Sequence, residues 1–364
     1  MGTPADVNLF RENCLRRSLN GVSAALIAIV CRGAALHAQV VGDVVDASSQ
    51  PVANARVELW APMRRVAVTV SDSSGGFEFG SRGAAVGIVV RRLGYRVANV
   101  SLQPPDVADP IRIRLEPAPV ALAGIASVAA RTACPLPDDA NARALVRTAQ
   151  SRYHTPAQPV VFHSLATFQS GRADSGADGE PAAAPRRIWL AATTAAWPGW
   201  RDQIFRVGYA ARLIRGVTER SVVWQYVPLD QEYAAHFADE MFARNHDFRM
   251  SPAPVGGWTV AFCPKRGSRA TGIDGILTIS ADTLIAAVSW SFRTPRPDEA
   301  AGGEVDFIPP ELSQASLLLP LASRFWRRSG AGRFYVQRAE YLEWRVHPGD
   351  RPVPLPRELI DQGS

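Results

Sequence analysis

Three side chains lie close enough in the sequence to raise the question of metal chemistry: His236, Glu240 and His246. Imidazole nitrogens and carboxylates are ordinary zinc ligands, and an open fourth position would activate water. The spacing argues against that use. A zinc-peptidase site of the His-x-x-Glu type needs Glu three positions after a histidine, and none of the six histidines has one there. The mature chain contains no Gly-x-Ser-x-Gly elbow and no phosphate-cradling glycine loop. No metal, cofactor or catalytic residue is expected. Of the four cysteines, Cys14 and Cys31 fall in the N-terminal leader. Cys134 and Cys263 remain, and two cysteines in an exported chain are expected to form a disulfide. Trp197 and Trp200 flank Pro198-Gly199 in what reads as a loop, and they are the candidate ligand contacts. Exposed indoles stack on sugars or bury at protein partners.

The elements that must position these residues begin after an address. Arg11, Arg16 and Arg17 precede an apolar stretch from about Ser18 to Val30, and Leu36-His37-Ala38 supplies a small residue before Gln39. That order predicts a signal peptide over 1–38, with export to the periplasm or beyond and association with the outer membrane open. The stretch is shorter than the ~20 residues that span a bilayer, and no later segment predicts a transmembrane helix. The 364 residues carry 40 Lys+Arg against 34 Asp+Glu, and Lys265 is the only lysine. Loss of the leader lowers net charge from +6 to +4. No clustered basic face marks a nucleic-acid partner.

From Val40 to Pro117 apolar residues alternate. Ala55, Val57 and Leu59 are expected inside, with Arg56, Glu58 and Trp60 outside. Val66, Val68 and Val70 form a second set, Phe77 and Phe79 a third, and Ile111, Ile113 and Leu115 a further one. Turn residues such as Asp72-Ser73-Ser74-Gly75-Gly76 separate them. About seven strands without a helix predict an antiparallel sandwich. The segments Val41–Asp46, Gln50–Leu59, Thr69–Phe79 and Val89–Tyr95 resemble carboxypeptidase regulatory-like domains. The resemblance implies a prealbumin-like, transthyretin-type β-sandwich, a non-catalytic module found on many secreted bacterial proteins.

Beyond a linker at 118–137, Asp139 to Tyr153 predicts a helix with an Asp N-cap. A second helix is expected around Gln231–Arg244, where Tyr233, Phe237 and Met241 recur every four positions. Gly171 to Pro185 reads as an exposed mobile loop. Strands are expected at Ile204–Ile214, Ser221–Tyr226, Gly257–Cys263, Gly275–Ser280, Ala286–Arg293, Gly303–Ile308, Leu317–Arg327 and Arg333–Arg345. The whole reads as mainly β: the sandwich at 39–117, then an α+β domain at 138–347 with a curved antiparallel sheet and about two helices, then a Pro-rich tail at 348–364. Gly272–Phe292 and Gly302–Phe307 resemble the C-terminal part of bacterial secreted proteins with the same module, in which a cysteine is expected where Asp247 stands. The sheet pattern is also similar, at the level of fold, to outer-membrane lipoprotein carriers. The expected function is a non-catalytic exported binding or interaction protein for a glycan or protein partner. The alternatives are a periplasmic carrier with an apolar ligand in the sheet, and an enzyme with a site assembled from scattered residues.

Overall fold

A computed structural model of the chain describes residues 39–92, 94–102, 110–117, 134, 137–153, 159–174, 176–177, 179–214, 222–230, 232–253, 257–265, 272–293, 300–309, 312–313, 317–328 and 332–349. The leader, most of the linker and nearly all of the tail lie outside the described residues.

Alternation in the first part becomes seven short strands: β1 Val40–Val45, β2 Arg56–Ala61, β3 Arg64–Val70, β4 Gly76–Phe79, β5 Gly87–Arg91, β6 Ala98–Ser101 and β7 Ile111–Arg114. One sheet has the order β4-β1-β7, with β1 and β7 parallel; the other runs β3-β2-β5-β6. Val57, Leu59, Phe77, Phe79, Ile88, Ile113 and Leu115 are buried between them. The β4 hairpin is set by its turn. Asp72 Oδ1 accepts from Ser74 N at 2.8 Å and Gly76 N at 2.9 Å, and Gly75 takes φ +80°. A Cβ there would stand 2.4 Å from Val44 O, so glycine is required.

The rest follows as α1 Ala140–Gln150, β8 Val160–Ala173, β9 Arg186–Thr193, α2 Trp197–Val207, β10 Ala210–Ile214, β11 Val222–Tyr226, α3 Glu240–Asn245, β12 His246–Pro252, β13 Trp258–Pro264, β14 Ile273–Ile279, β15 Ile285–Phe292, β16 Ala300–Phe307, β17 Pro320–Arg328 and β18 Phe334–Pro348, with 3-10 turns at Thr194–Ala196 and Glu232–Ala238. Strands β12 to β18 form an antiparallel meander, and β8 and β9 add beyond β18. Asp139 caps α1, accepting from Asn141 N at 2.9 Å. Helix α1, the Glu232–Ala238 turn and α3 cover one face of the sheet, where Phe237, Phe242 and Val146 pack on Phe262, Leu277, Val288 and Trp290.

Several expectations are corrected. Residues 197–207 of the expected strand Ile204–Ile214 and of the expected Trp197 loop are helix. Pro198 sits in the first turn, where its missing N–H costs nothing. The expected second helix is broken at Asp239, whose side chain caps α3 by accepting from Met241 N. On β3 the faces are reversed: Val66, Val68 and Val70 are exposed, while Ala67 packs inward. Register explains it, because Val68 lies opposite Glu58 and Ala67 opposite Leu59, with a bulge at Leu59/Trp60. The first three residues of the expected loop, Gly171 to Ala173, belong to β8, and Gln169 Nε2 donates to Pro181 O and Ala183 O in the connection to β9.

Glu58 and Trp60, expected outside, are both fully buried. The outer face of β2 and β5 packs against the second sheet, where Trp60 and Val89 join Phe162, Leu312, Tyr341 and Trp344. The sheets also touch through backbone: Glu343 of β18 pairs with Arg64 of β3, and Trp344 N donates to Met63 O at 2.9 Å. Burial of a side chain the size of Trp60 contributes roughly 3 kcal/mol.

Candidate functional site

Four strands of the large sheet place their polar residues on one face. Glu304 and Asp306 stand two apart on β16, Ala322 and Arg324 on β17, Arg338 and Glu340 on β18, Thr167 and Gln169 on β8. Register aligns Glu304–Arg324–Arg338–Gln169 in one row and Asp306–Ala322–Glu340–Thr167 in the next. Residues two apart on a strand share a face, so the rows form one surface. The outer face of the sandwich stands opposite, with Arg56 of β2 the register partner of Arg91 at the end of β5. Between them lies a cavity of about 720 Å³, lined by Arg56, Arg91, Arg92, Tyr95, Glu304, Asp306, Arg324, Arg338 and Glu340 among others. That volume falls within the ~300–1,000 Å³ of small-molecule sites.

Most of these charges have partners. Arg56 Nε lies 2.9 Å from Glu58 Oε1 and its Nη2 lies 2.8 Å from Glu340 Oε1. Arg65 Nη1 reaches the same two carboxylates at 3.1 and 2.7 Å. A carboxylate as buried as Glu58 is tolerable only when so paired. Burial works to raise the Glu340 carboxyl, but Arg65, Arg56 and Arg91 outweigh it and hold it below its usual value. Arg324 pairs with Glu304 at 3.3 Å and donates to Ala177 O; Arg338 pairs with Glu180. Those contacts fasten the β8–β9 connection along the rim.

Arg91 differs. Its Nε and Nη2 are buried and make no hydrogen bond among the described residues. It faces Asp306 and Glu340 electrostatically. Burial pushes the Asp306 carboxyl up to about 6, against the pull of Arg91 and with the repulsion of Glu304. Asp306 and Tyr95 also line a second cavity of about 660 Å³, between β6 and the β14–β15 hairpin, where Leu284, Ile285, Leu312 and Leu321 mix with Asn99 and Asp282.

The structure brings together only two of the three residues considered for metal. His236 Nε2 lies 2.8 Å from Tyr209 Oη, and the His246 ring packs on Tyr209 at 5.7 Å. His246 Nδ1 lies 2.8 Å from Phe242 O, so it carries the proton and donates. Glu240 points to solvent and pairs with Arg244 at 3.2 Å. Among the described residues no group of three or more His, Cys, Asp or Glu is placed to hold a metal ion. Phe237, Phe242 and Phe262 pack round the two imidazoles, and burial pushes His236 well down and His246 down to about 4.

Trp197 and Trp200 are half-buried in the first turn of α2 and line neither cavity. Trp197 stacks on Tyr233 at 5.6 Å and leans on His236 at 5.1 Å. The recurrence of Trp197, Trp200, Ile204 and Val207 was the available sign of a helical face. Cys134 and Cys263 are placed at disulfide distance, Cα–Cα 5.8 Å, tying the segment before α1 to β13. Asp247, at the expected cysteine position, lies directly across the strands from Cys263. Sequence reasoning missed the arginine cavity, because each lining residue reads singly as the polar partner in an alternating strand. No helix among the described residues is long and apolar enough to cross a membrane. No protein-family model and no curated protein matches the chain.

Proposed function

We propose that this chain is a non-catalytic exported binding protein whose regulatory-like sandwich forms one wall of a small-molecule site and whose curved sheet forms the other. The observation that carries the reading is the cavity of about 720 Å³ in which Arg91 keeps two buried donors without a hydrogen-bond partner among the described residues. A carrier of apolar ligands draws less support, since the protein's own Phe237, Phe242 and Val146 fill the helix-covered face of the sheet. An enzyme reading has one observation in its favour. Asp306 and Glu340 lie in one row with carboxyls shifted in opposite directions, the pattern of an acid and a base. Against it, Glu340 is bound to two arginines.

The test is thermal unfolding of the purified chain with sugars, organic acids, amino acids and nucleotides, beside Ala322→Trp, which fills the cavity. A ligand at 100 times its Kd should stabilise the wild type by ~2.7 kcal/mol and leave the variant unmoved. Peptide, ester and aryl-glycoside substrates should give no turnover. Turnover abolished by Asp306→Asn would replace the binding reading with the enzyme one.

A further inference from the structure

We infer that the cavity is built to take a small organic anion, with Arg91 as the residue that grips its oxyanion group and Arg92 as a second cation at the mouth. The inference rests on the binding reading above. Its first support is the balance of charge: five arginines line the cavity against Glu304, Asp306 and Glu340. Its second is commitment. Arg56, Arg324 and Arg338 each contact a carboxylate of the protein, at Glu340, Glu304 and Glu180, and their geometry is fixed by those bonds.

Arg91 ends β5 with Arg56 as its cross-strand neighbour, so it cannot turn that way without meeting like charge. Two of its guanidinium nitrogens are withdrawn from water with nothing to bond. A buried donor without an acceptor is destabilising, and a ligand that supplies the acceptor removes that cost. The planar guanidinium fork matches a carboxylate or a phosphate in two parallel bonds. Arg92, the next residue, lines the same cavity and is exposed. A positive mouth on a cleft also steers anions toward it.

Titration calorimetry on the full chain at neutral pH tests this with glucose, glucuronate, glucose 6-phosphate and inorganic phosphate. Glucuronate or glucose 6-phosphate should bind at least on the order of tenfold tighter than glucose, and whichever wins distinguishes carboxylate from phosphate. Arg91→Gln should weaken that binding by on the order of tenfold or more. Arg92→Gln, at an exposed position that leaves the core intact, should weaken it by roughly two- to fivefold and lessen its salt dependence. Failure of all three anions to bind, binding of glucose as tight as its anionic counterparts, or anion affinity unchanged in both variants would each overturn the inference. Ala322→Trp separates the two levels of argument. Glucose binding as tight as that of the anions, and abolished by this variant, would keep the cavity and discard its anion preference, whereas anion binding that survives the variant would discard the cavity as well.

Discussion

The two places where polar groups are drawn into this protein differ in what surrounds them. Around Tyr209, His236 and His246, aromatic rings close in from the 3-10 turn, α3 and β13. At the junction of sandwich and sheet, strands bring arginines and carboxylates face to face across open space. Burial shifts titratable groups in both, His246 down to about 4 and Asp306 up to about 6. A shifted group therefore does not mark a site by itself. The histidine cluster is closed core: His236 Nδ1 and His246 Nε2 also lack hydrogen-bond partners among the described residues, but aromatic rings enclose them and they line neither cavity. The arginine cavity has room, a surplus of positive charge and donors without partners.

The contrast is sharpened first by breaking the closed region. Phe242→Ala should cost about 3–5 kcal/mol in denaturant unfolding, because the ring is fully buried and packs on Phe237, Phe248, Phe262 and both histidines. A loss below ~1 kcal/mol would mean that this cluster is loosely packed.

The second expectation concerns pH. The folded pKa of His246 lies below its unfolded value of 6.5, so the unfolded chain binds more protons between about 4 and 6.5. Its contribution to stability is complete above 6.5 and is lost as pH falls toward 4, up to ~3 kcal/mol. His246→Gln should flatten that part of the stability curve, followed by denaturant melts at pH 8, 6 and 4.5. An unchanged slope would mean that His246 is exposed or that the cluster titrates elsewhere.

Asp306 has the opposite sign. Its folded pKa, about 6, lies above the unfolded 3.8, so the folded state holds the extra proton in between and stability falls as pH rises through this window. Asp306→Asn should stabilise the ligand-free chain by ~1–2 kcal/mol at pH 8, after discount for the side of the group that meets the cavity, with no difference below about pH 4. Destabilisation at pH 8 would place Asp306 in a firm ion pair with Arg91. The smallest effect belongs to Arg92→Gln, which should leave stability within ~0.5 kcal/mol while it weakens anion binding. A loss of stability without a loss of binding would make Arg92 a structural residue.

Much of the fold could be read because it is written locally. The Asp72–Gly76 turn, the Phe77/Phe79 pair and the Asp139 cap each depend on neighbours a few residues away, and the structure has them as expected. The meander strands β13 to β18 fall within a few residues of their alternation. Alternation distinguishes two faces of a strand without saying which is covered, and so β3 was reversed and Trp60 was placed outside. The cavity was harder for the same reason taken further. Its arginines come from β2, β5, β17 and β18, so Arg91 and Arg338 are brought together only by the packing of sandwich on sheet. The helix at Trp197–Val207 was hidden by Pro198-Gly199, a pair that reads as a turn unless it sits in a first helical turn.

The central claim is that the arginine cavity, not the histidine cluster, is where this protein meets a ligand. Amide hydrogen exchange of the full chain with and without saturating glucuronate tests it most directly. The account predicts slowed exchange at residues 89–95 and on β17 and β18 around Arg324 and Arg338, with residues 232–246 unchanged. Protection confined to 232–246, or none at the cavity while glucuronate is bound, would contradict it.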